Sequence, residues 1–471
     1  MMLQRSRNAP LTVKYGGYPP SFNDILCKIA SQTSRLRDVV LRQASPTNPL
    51  DLPKILSSFE STAPILEKLV LQGSEFYNTY NRTNIDRYHT VPANFLQDGA
   101  PSLQHLDITR LAIHWDALPL STTLTHLRLE NTVPENRPTR KSFLETLEKL
   151  IQLETMTLSA YLPHSGDASQ LESLPVTLPS LRTLKLQDPA AELCQFFSMT
   201  RIPQEARVDV NLSDGNLESG SLESLFSALR ASWTLSKDMV VDAAHHLAQP
   251  NILDLRVIDD VPRCKPRIMY WFNNYGLPPN FNAENPPANL IVAAPSVSAI
   301  DITLLFKMIT GRLGISSLRS LKIASNQVVL VKDVLALVKD LPKLDKIAIC
   351  RSHDALSEFL GILKEIKDHA LAFPSLRSIE LQDIDFDEGL TGNSDTAIGV
   401  LADALRSWKK FHPTIERFAM TVCTNFVEED WEVLQAALPK EVEMNWDGYE
   451  YIVDTSEGEE DSSDFESWGP Q

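Results

Sequence analysis

Apolar positions along the chain recur in a six-letter phase, L-x-x-L-x-L, with Val, Ile, Met or Phe as occasional substitutes. LPSLRTLKLQD (178–188), APSLQHLDIT (100–109), STTLTHLRLE (121–130), SSLRSLKIAS (316–325) and FPSLRSIELQ (373–382) keep the spacing and change the polar letters. Aligned on the first apolar residue, the copies start at Leu36, Leu66, Leu103, Leu124, Leu153, Leu181, Leu318, Leu344, Leu376 and Ile415. Positions four and six lie two apart, so in a strand they share one face, while position one turns inward from the approaching loop. The spacing therefore predicts ten short strands, each with one buried side.

Between these strands the period changes from two to that of a helix. PSFNDILCKIA sets Phe22, Ile25, Leu26 and Ile29 on one helical face, and Ser21 with Asp24 three residues on resembles a capping box. Amphipathic helices are predicted also at 53–60, 142–151, 221–230, 302–310, 331–340, 354–368, 394–409 and 428–437. Within each half the copies recur every 21 to 39 residues, straddling the range of leucine-rich repeats, where each unit supplies one parallel strand and a returning helix. A lone unit cannot bury its leucines, so neighbours must stack. The expected fold is α/β: an irregular leucine-rich-repeat solenoid over residues 1–452, a horseshoe with a parallel sheet on the concave face and helices outside. The asparagine such repeats usually carry appears in phase only as Asn326.

The middle of the chain is less regular. ARVDVNL and ILDLRVI read as strands. The stretch near 260–296 joins Tyr270, Trp271, Phe272 and Tyr275 to many prolines and reads as a long irregular insertion, its aromatics plugging a core gap or forming a lid.

Composition narrows the function. The net charge is -17, and residues 453–471, which hold seven acids and no Lys or Arg, are expected to form a disordered acidic tail. Ser456 and Ser463, each with an acid three residues later, resemble acidophilic-kinase sites; the tail reads as a solubilising extension or as a docking peptide for a basic partner. An acidic surface repels phosphate backbones and no basic stripe is evident, which argues against nucleic acid. Cys27, Cys194, Cys264, Cys350 and Cys423 are too far apart for a CxxC motif and read as buried thiols in a reducing compartment. No signal-peptide core or long apolar run occurs, so the expectation is a cytoplasmic or nuclear protein without a membrane role.

LQRSRNAPLTVKY (3–15), together with the LPSLRTLKL ladder, resembles the large family of mushroom-type fungal F-box proteins with degenerate leucine-rich repeats. In that family an N-terminal F-box docks on the Skp1 adaptor of a cullin ubiquitin ligase, and the repeats hold the substrate. The chain starts at the strand expected after the F-box, so no Skp1-docking residue carries over; Skp1 and cullin are expected partners only if an F-box lies upstream. The resemblance implies a substrate-recognition repeat domain, with a scaffold or adaptor lacking Skp1 coupling as the alternative.

Motifs for chemistry are sparse. No GxSxG, HExxH, Walker A or GxGxxG stretch occurs. Asp383, Asp385 and Asp387 imitate positions one, three and five of a calcium loop, but position six is Glu388 and position twelve is Ser394, where Gly and Glu are required. His245-His246 has no third ligand near it in sequence. The expectation is an interaction protein rather than an enzyme, with no catalytic residue, cofactor or metal and an unidentified protein substrate as partner.

The informative side chains are at positions three, five and seven, which point away from the leucines onto the exposed face. The partner-binding candidates there are Lys68, His105, Asp107, His126, Arg128, Glu130, Thr157 and Lys185. If the third and fourth strands are neighbours in register, His105 lies beside His126 and Asp107 beside Arg128: a pH-sensitive polar patch, or a solvated sheet face with one weak cross-strand ion pair.

Overall fold

The computed structural model describes residues 8–16, 22–43, 50–73, 90–92, 94–130, 136–165, 174–203, 205–213, 219–233, 252–258, 267–272, 289–293, 299–313, 315–325, 327–364, 372–386, 397–409 and 415–451. The chain divides into two compact units, Met1–Ile252 with Lys265–Ile315, and Leu253–Cys264 with Ser316–Gln471.

In the first unit the strands are β1 (Leu11–Tyr15), β2 (Leu36–Arg42), β3 (Lys68–Gln72), β4 (His105–Thr109), β5 (His126–Glu130), β6 (Thr155–Ser159), β7 (Val176–Thr177), β8 (Thr183–Asp188), β9 (Thr200–Arg201) and β10 (Arg207–Leu212). After β11 (Ile252–Ile258), which belongs to the second unit, β12 (Arg267–Phe272) and β13 (Leu290–Ala293) complete it. Its sheet runs β1-β2-β3-β4-β5-β6-β8-β10-β13-β12, parallel throughout except for the antiparallel pair β12 and β13. The short strands β7 and β9 pair separately. The second unit holds β11, β14 (Ser320–Ala324), β15 (Lys346–Cys350), β16 (Ser378–Gln382), β17 (Arg417–Thr421) and β18 (Glu443–Trp446), all parallel in that order.

Helices return the chain between strands. They are α1 (Asn23–Ala30), α2 (Leu52–Leu56), α3 (Arg140–Leu147), α4 (Ala190–Met199), α5 (Ser219–Ser232) and α6 (Ala299–Leu313) in the first unit, and α7 (Val328–Val338), α8 (His353–Lys364), α9 (Ala397–Lys409) and α10 (Glu428–Ala437) in the second. Their buried residues follow the helical period, as Leu330, Val331, Val334, Leu335 and Val338 do in α7. No helix among the described residues is long and apolar enough to cross a membrane.

The six-letter pattern maps onto this frame position by position. Each of the ten expected strands is present and, β2 apart, begins at position three. Apolar residues at positions four and six of neighbouring strands stand side by side: Leu69, Leu106 and Leu127 in one row, Leu71, Ile108 and Leu129 in the next. All six are at most 1% exposed. Burying a side chain of this size contributes about 1.5–3 kcal/mol, and here the burial comes from adjacent copies.

The recurrent Pro-Ser before the first leucine has a backbone reason. Leu66 N–H donates to Ala63 O at 3.2 Å, Leu103 to Ala100 at 3.0 Å, Leu181 to Leu178 at 3.2 Å and Leu376 to Phe373 at 3.1 Å. Each is a four-residue turn whose second residue is proline, a position its fixed φ suits. The turns are stitched to one another: Ser102 Oγ donates to Pro64 O at 2.8 Å, Thr123 Oγ1 to Pro101 O at 3.1 Å and Ser375 Oγ to Pro342 O at 2.6 Å. At the far end of the strands, Arg110, Ala160, Arg351, Asp383 and Val422 all occupy the left-handed region at position eight, with φ between 52° and 59°. Position eight of β3 is Gly73, whose N–H donates to Thr109 O at 3.0 Å; an added Cβ would come 2.3 Å from Arg110 O.

Three findings differ from the sequence reading. A helix not predicted above, α4, follows Asp188 directly, with Pro189 at its N-cap position and Leu193, Phe196 and Phe197 buried; proline is compatible with a helix start, because the first N–H groups have no intrahelical partner. Within the stretch near 260–296, residues 267–272 and 290–293 are strands; Ile268 and Tyr270 alternate inward, and Tyr270 is fully buried, as a core-filling aromatic should be. Trp271 and Phe272 lie on the strand, while Tyr275 and all the prolines of the stretch fall outside the described residues. On α1 the buried residues are Leu26 and Ala30, whereas Phe22 and Ile25 are 41% and 48% exposed; Phe22 is the N-cap, and Ser21 lies outside the described residues. Residues 453–471 and Asn326 also lie outside them.

Leu106→Ala should lower unfolding stability by about 2–5 kcal/mol, because the vacated rung has packed neighbours on both sides. Gly73→Ala should also destabilise, through collision with the Arg110 carbonyl. Thr155→Ala, at a half-buried outward position, should stay within about 0.5 kcal/mol of the parent in urea titrations.

Candidate functional site

The outward face of the first unit's sheet gathers the sequence-selected residues. The parallel register sets Lys68 opposite His105, His105 opposite His126, and His126 opposite Thr155 in one row. The next row runs Asp107, Arg128, Thr157, Lys185. Glu130 stands between Thr109 and Ser159 in a third. All eight candidates therefore lie on neighbouring strands of one sheet face, about 4.8 Å apart from strand to strand.

The centre of this face is the histidine pair. The rings of His105 and His126 stack with centroids 5.4 Å apart and planes 28° from parallel, and His126 Nδ1 is 2.8 Å from Thr125 Oγ1. His105 is half-buried; desolvation, then the charges of Lys68 and His126, push its pKa down to about 4. Arg128 Nε approaches Asp107 Oδ1 at 4.0 Å, the long separation of a weak ion pair. Burial raises the Asp107 pKa, and the Arg128 charge opposes that shift without cancelling it.

Sequence reasoning missed the flanks of the face. β1 adds Thr12 and Lys14 beside Asp38 and Val40, with Thr12 Oγ1 donating to Asp38 Oδ2 at 3.1 Å. β10 adds Arg207, Asp209 and Asn211 beside Thr183, Lys185 and Gln187, with Asn211 Nδ2 donating to Gln187 Oε1 at 3.0 Å. The available signal was alternation alone, since RVDVNL and LTVKY place apolar residues at every second position without the six-letter phase.

Away from this face, several described polar groups pair with one another. Asp188, 0% exposed at the end of β8, lies with Oδ1 2.8 Å from Arg137 Nη2, while Oδ2 accepts from Leu162 N–H at 3.3 Å. Arg137 Nη1 donates to Leu162 O at 2.8 Å, so one guanidinium ties together the segments following β5 and β6 and the end of β8. Desolvation lifts the Asp188 pKa to about 6 despite Arg137. In the second unit Lys346 Nζ lies 2.7 Å from Glu380 Oε2, and Lys322 Nζ donates to Gln382 Oε1 at 3.0 Å.

The calcium-like stretch is held by protein groups: Asp383 pairs with Arg351 at 2.5 Å, and Asp385 Oδ1 accepts from Asn425 Nδ2 at 2.7 Å. Its residues from Asp387 to Ser394 lie outside the described residues, as do His245, His246 and Cys264. Among the described residues no group of three or more His, Cys, Asp or Glu could hold a metal ion. Cys350 and Cys423 are buried, but Cys27 and Cys194 are only half-buried, which corrects the expectation of uniformly buried thiols.

No family model matches the chain, and the search of curated proteins finds no match.

Two titrations follow from these environments. A depressed His105 pKa means that the unfolded chain, protonating near 6.5, binds the proton first. The associated stability is complete above pH 6.5 and is lost as pH falls towards 4. His105→Asn should flatten the fall in urea midpoint between pH 7 and pH 4.5.

For Asp188 the sign reverses: the folded state binds the proton more tightly, so its contribution is greatest below about pH 4 and declines as pH rises through about 6. Arg137→Leu should cost about 3–5 kcal/mol at pH 7.5 by leaving a buried carboxylate unpaired. The same variant should recover part of that loss at pH 5, and Arg137→Leu with Asp188→Leu should be less damaging than Arg137→Leu alone.

Proposed function

We propose that this chain is a protein-interaction module, an irregular leucine-rich-repeat solenoid whose exposed sheet face holds a protein partner. The observation that carries the reading is the register: ten copies of one pattern place their variable residues on strand faces, and eight of those residues fall on contiguous strands of one unit. Such a face can change its chemistry without disturbing the buried positions, because successive side chains of a strand point to opposite sides. The side chains on it are polar and medium-sized, which suits recognition by hydrogen bonds and charge more than by an aromatic hot spot.

The more specific reading is the substrate-recognition domain of an F-box-type ubiquitin ligase receptor. It rests on the resemblance of residues 3–15 to the segment that follows the F-box in the fungal family. Leu11–Tyr15, within that segment, forms the first strand of the sheet. On this reading the molecule binds its target and carries out no catalysis itself.

Replacing Thr157 with photo-crosslinking benzoylphenylalanine tests the site. In extract from the source cells, Thr157 should give a discrete protein adduct. The same residue at Lys141, on α3 and 72% exposed, should not. Indistinguishable labelling from the two positions would refute binding at the sheet face.

A further inference from the structure

We propose that the outward face of the first unit's sheet takes an acidic segment of a partner protein, laid across the strands. This deepens the interaction reading and rests on it. Among the described side chains of β1 to β10, the outward positions carry six cations, Lys14, Arg42, Lys68, Arg128, Lys185 and Arg207, against four carboxylates, Asp38, Asp107, Glu130 and Asp209. All the cations except Lys68 are exposed, whereas all four carboxylates are only half-buried to intermediate in exposure. The difference is one of reach. Arg128 keeps 57% of its side chain exposed while its neighbour Asp107 keeps 19%. Short carboxylates sit low between the strands, and long Lys and Arg side chains extend past them.

The charge an approaching molecule meets first is therefore positive, on a chain whose formal net charge is -17. Opposed signs on one molecule steer an acidic segment to this face and away from the remainder. A peptide suits the spacing better than a nucleic acid does. Asp107, Glu130 and Asp209 interrupt the cations and oppose a continuous phosphate backbone, and no aromatic side chain other than the two histidines stands at the outward positions of β2 to β6 to stack on bases. An acidic protein segment can space its carboxylates to match.

The test is fluorescence anisotropy on the full chain with a labelled (Glu-Ser)6 peptide, a (Lys-Ser)6 peptide and a 12-nucleotide single strand. The acidic peptide should bind at least about tenfold more tightly than the basic one and weaken steeply between 50 and 300 mM NaCl. Lys185→Glu with Arg207→Glu should reduce its affinity at least about tenfold; Lys185→Gln with Arg207→Gln, which adds no repulsion, should reduce it less, with unchanged circular dichroism. Lys141→Glu should leave binding as it was. Equal binding of both peptides, tighter binding of the oligonucleotide, or an equal loss with Lys141→Glu overturns the proposal. Binding that emerges only after the acids of residues 453–471 are replaced by serine would make the chain's own tail the occupant, which also overturns it. If Thr157 yields an adduct while (Glu-Ser)6 fails to bind, the acidic class alone falls; if both fail, the interaction face falls with it.

Discussion

Everything in both units depends on side-by-side parallel strands holding their register without slipping. The side-chain period of a strand is two, so a slip of one residue would turn every leucine outward and every charge inward. The register is fixed from both ends of each strand. At the start, the carbonyl of position two accepts from two N–H groups of the next copy, as Glu67 O does from Gln104 and His105 at 2.9 and 3.0 Å. At the finish, the position-eight N–H donates to the neighbouring strand, as Ala160 does to Gln187 O at 2.9 Å. Between these clamps the leucine rows leave little freedom.

This explains what could be read in the letters and what could not. The strands were legible because positions one, four and six all bury the same kind of side chain, and Leu103, Leu106 and Ile108 have no alternative face to use. Pro-Ser was legible as a turn, but its cross-copy hydrogen bonds were not, since Ser102 finds its acceptor 38 residues earlier, at Pro64. The helix at Ala190–Met199 was hidden behind Asp188-Pro189, where a proline that can open a helix looks the same as one that ends a strand. β12 was hidden by composition: its Tyr270 is core, while the prolines that follow suggest a loop.

The candidate face was legible in its centre and not at its margins. Leucine phasing locates His105, His126, Asp107 and Arg128, and the observed register pairs them as expected. Arg207 and Lys14 belong to strands outside the phase, and no linear pattern says that RVDVNL adjoins TLKLQD. The depth difference between Arg and Asp side chains is also invisible in a charge count, because it comes from side-chain length above a common backbone plane.

The returning segments differ from copy to copy: the helix α4 follows β8, a short 3₁₀ turn at Trp115–Ala117 lies between β4 and β5, and the intervals within each half run from 21 to 39 residues. The strands and their flanking turns carry the register, while adjacent returns meet through side chains, as Trp115 Nε1–H does with Thr146 Oγ1 at 3.4 Å and Ser142 Oγ with Asp116 Oδ1 at 2.9 Å. Within this one chain, returns of different length and type accompany the same strand register. Sequence divergence should be concentrated in those stretches, and alignments that penalise gaps evenly will lose the kinship between copies of this chain before its architecture has changed.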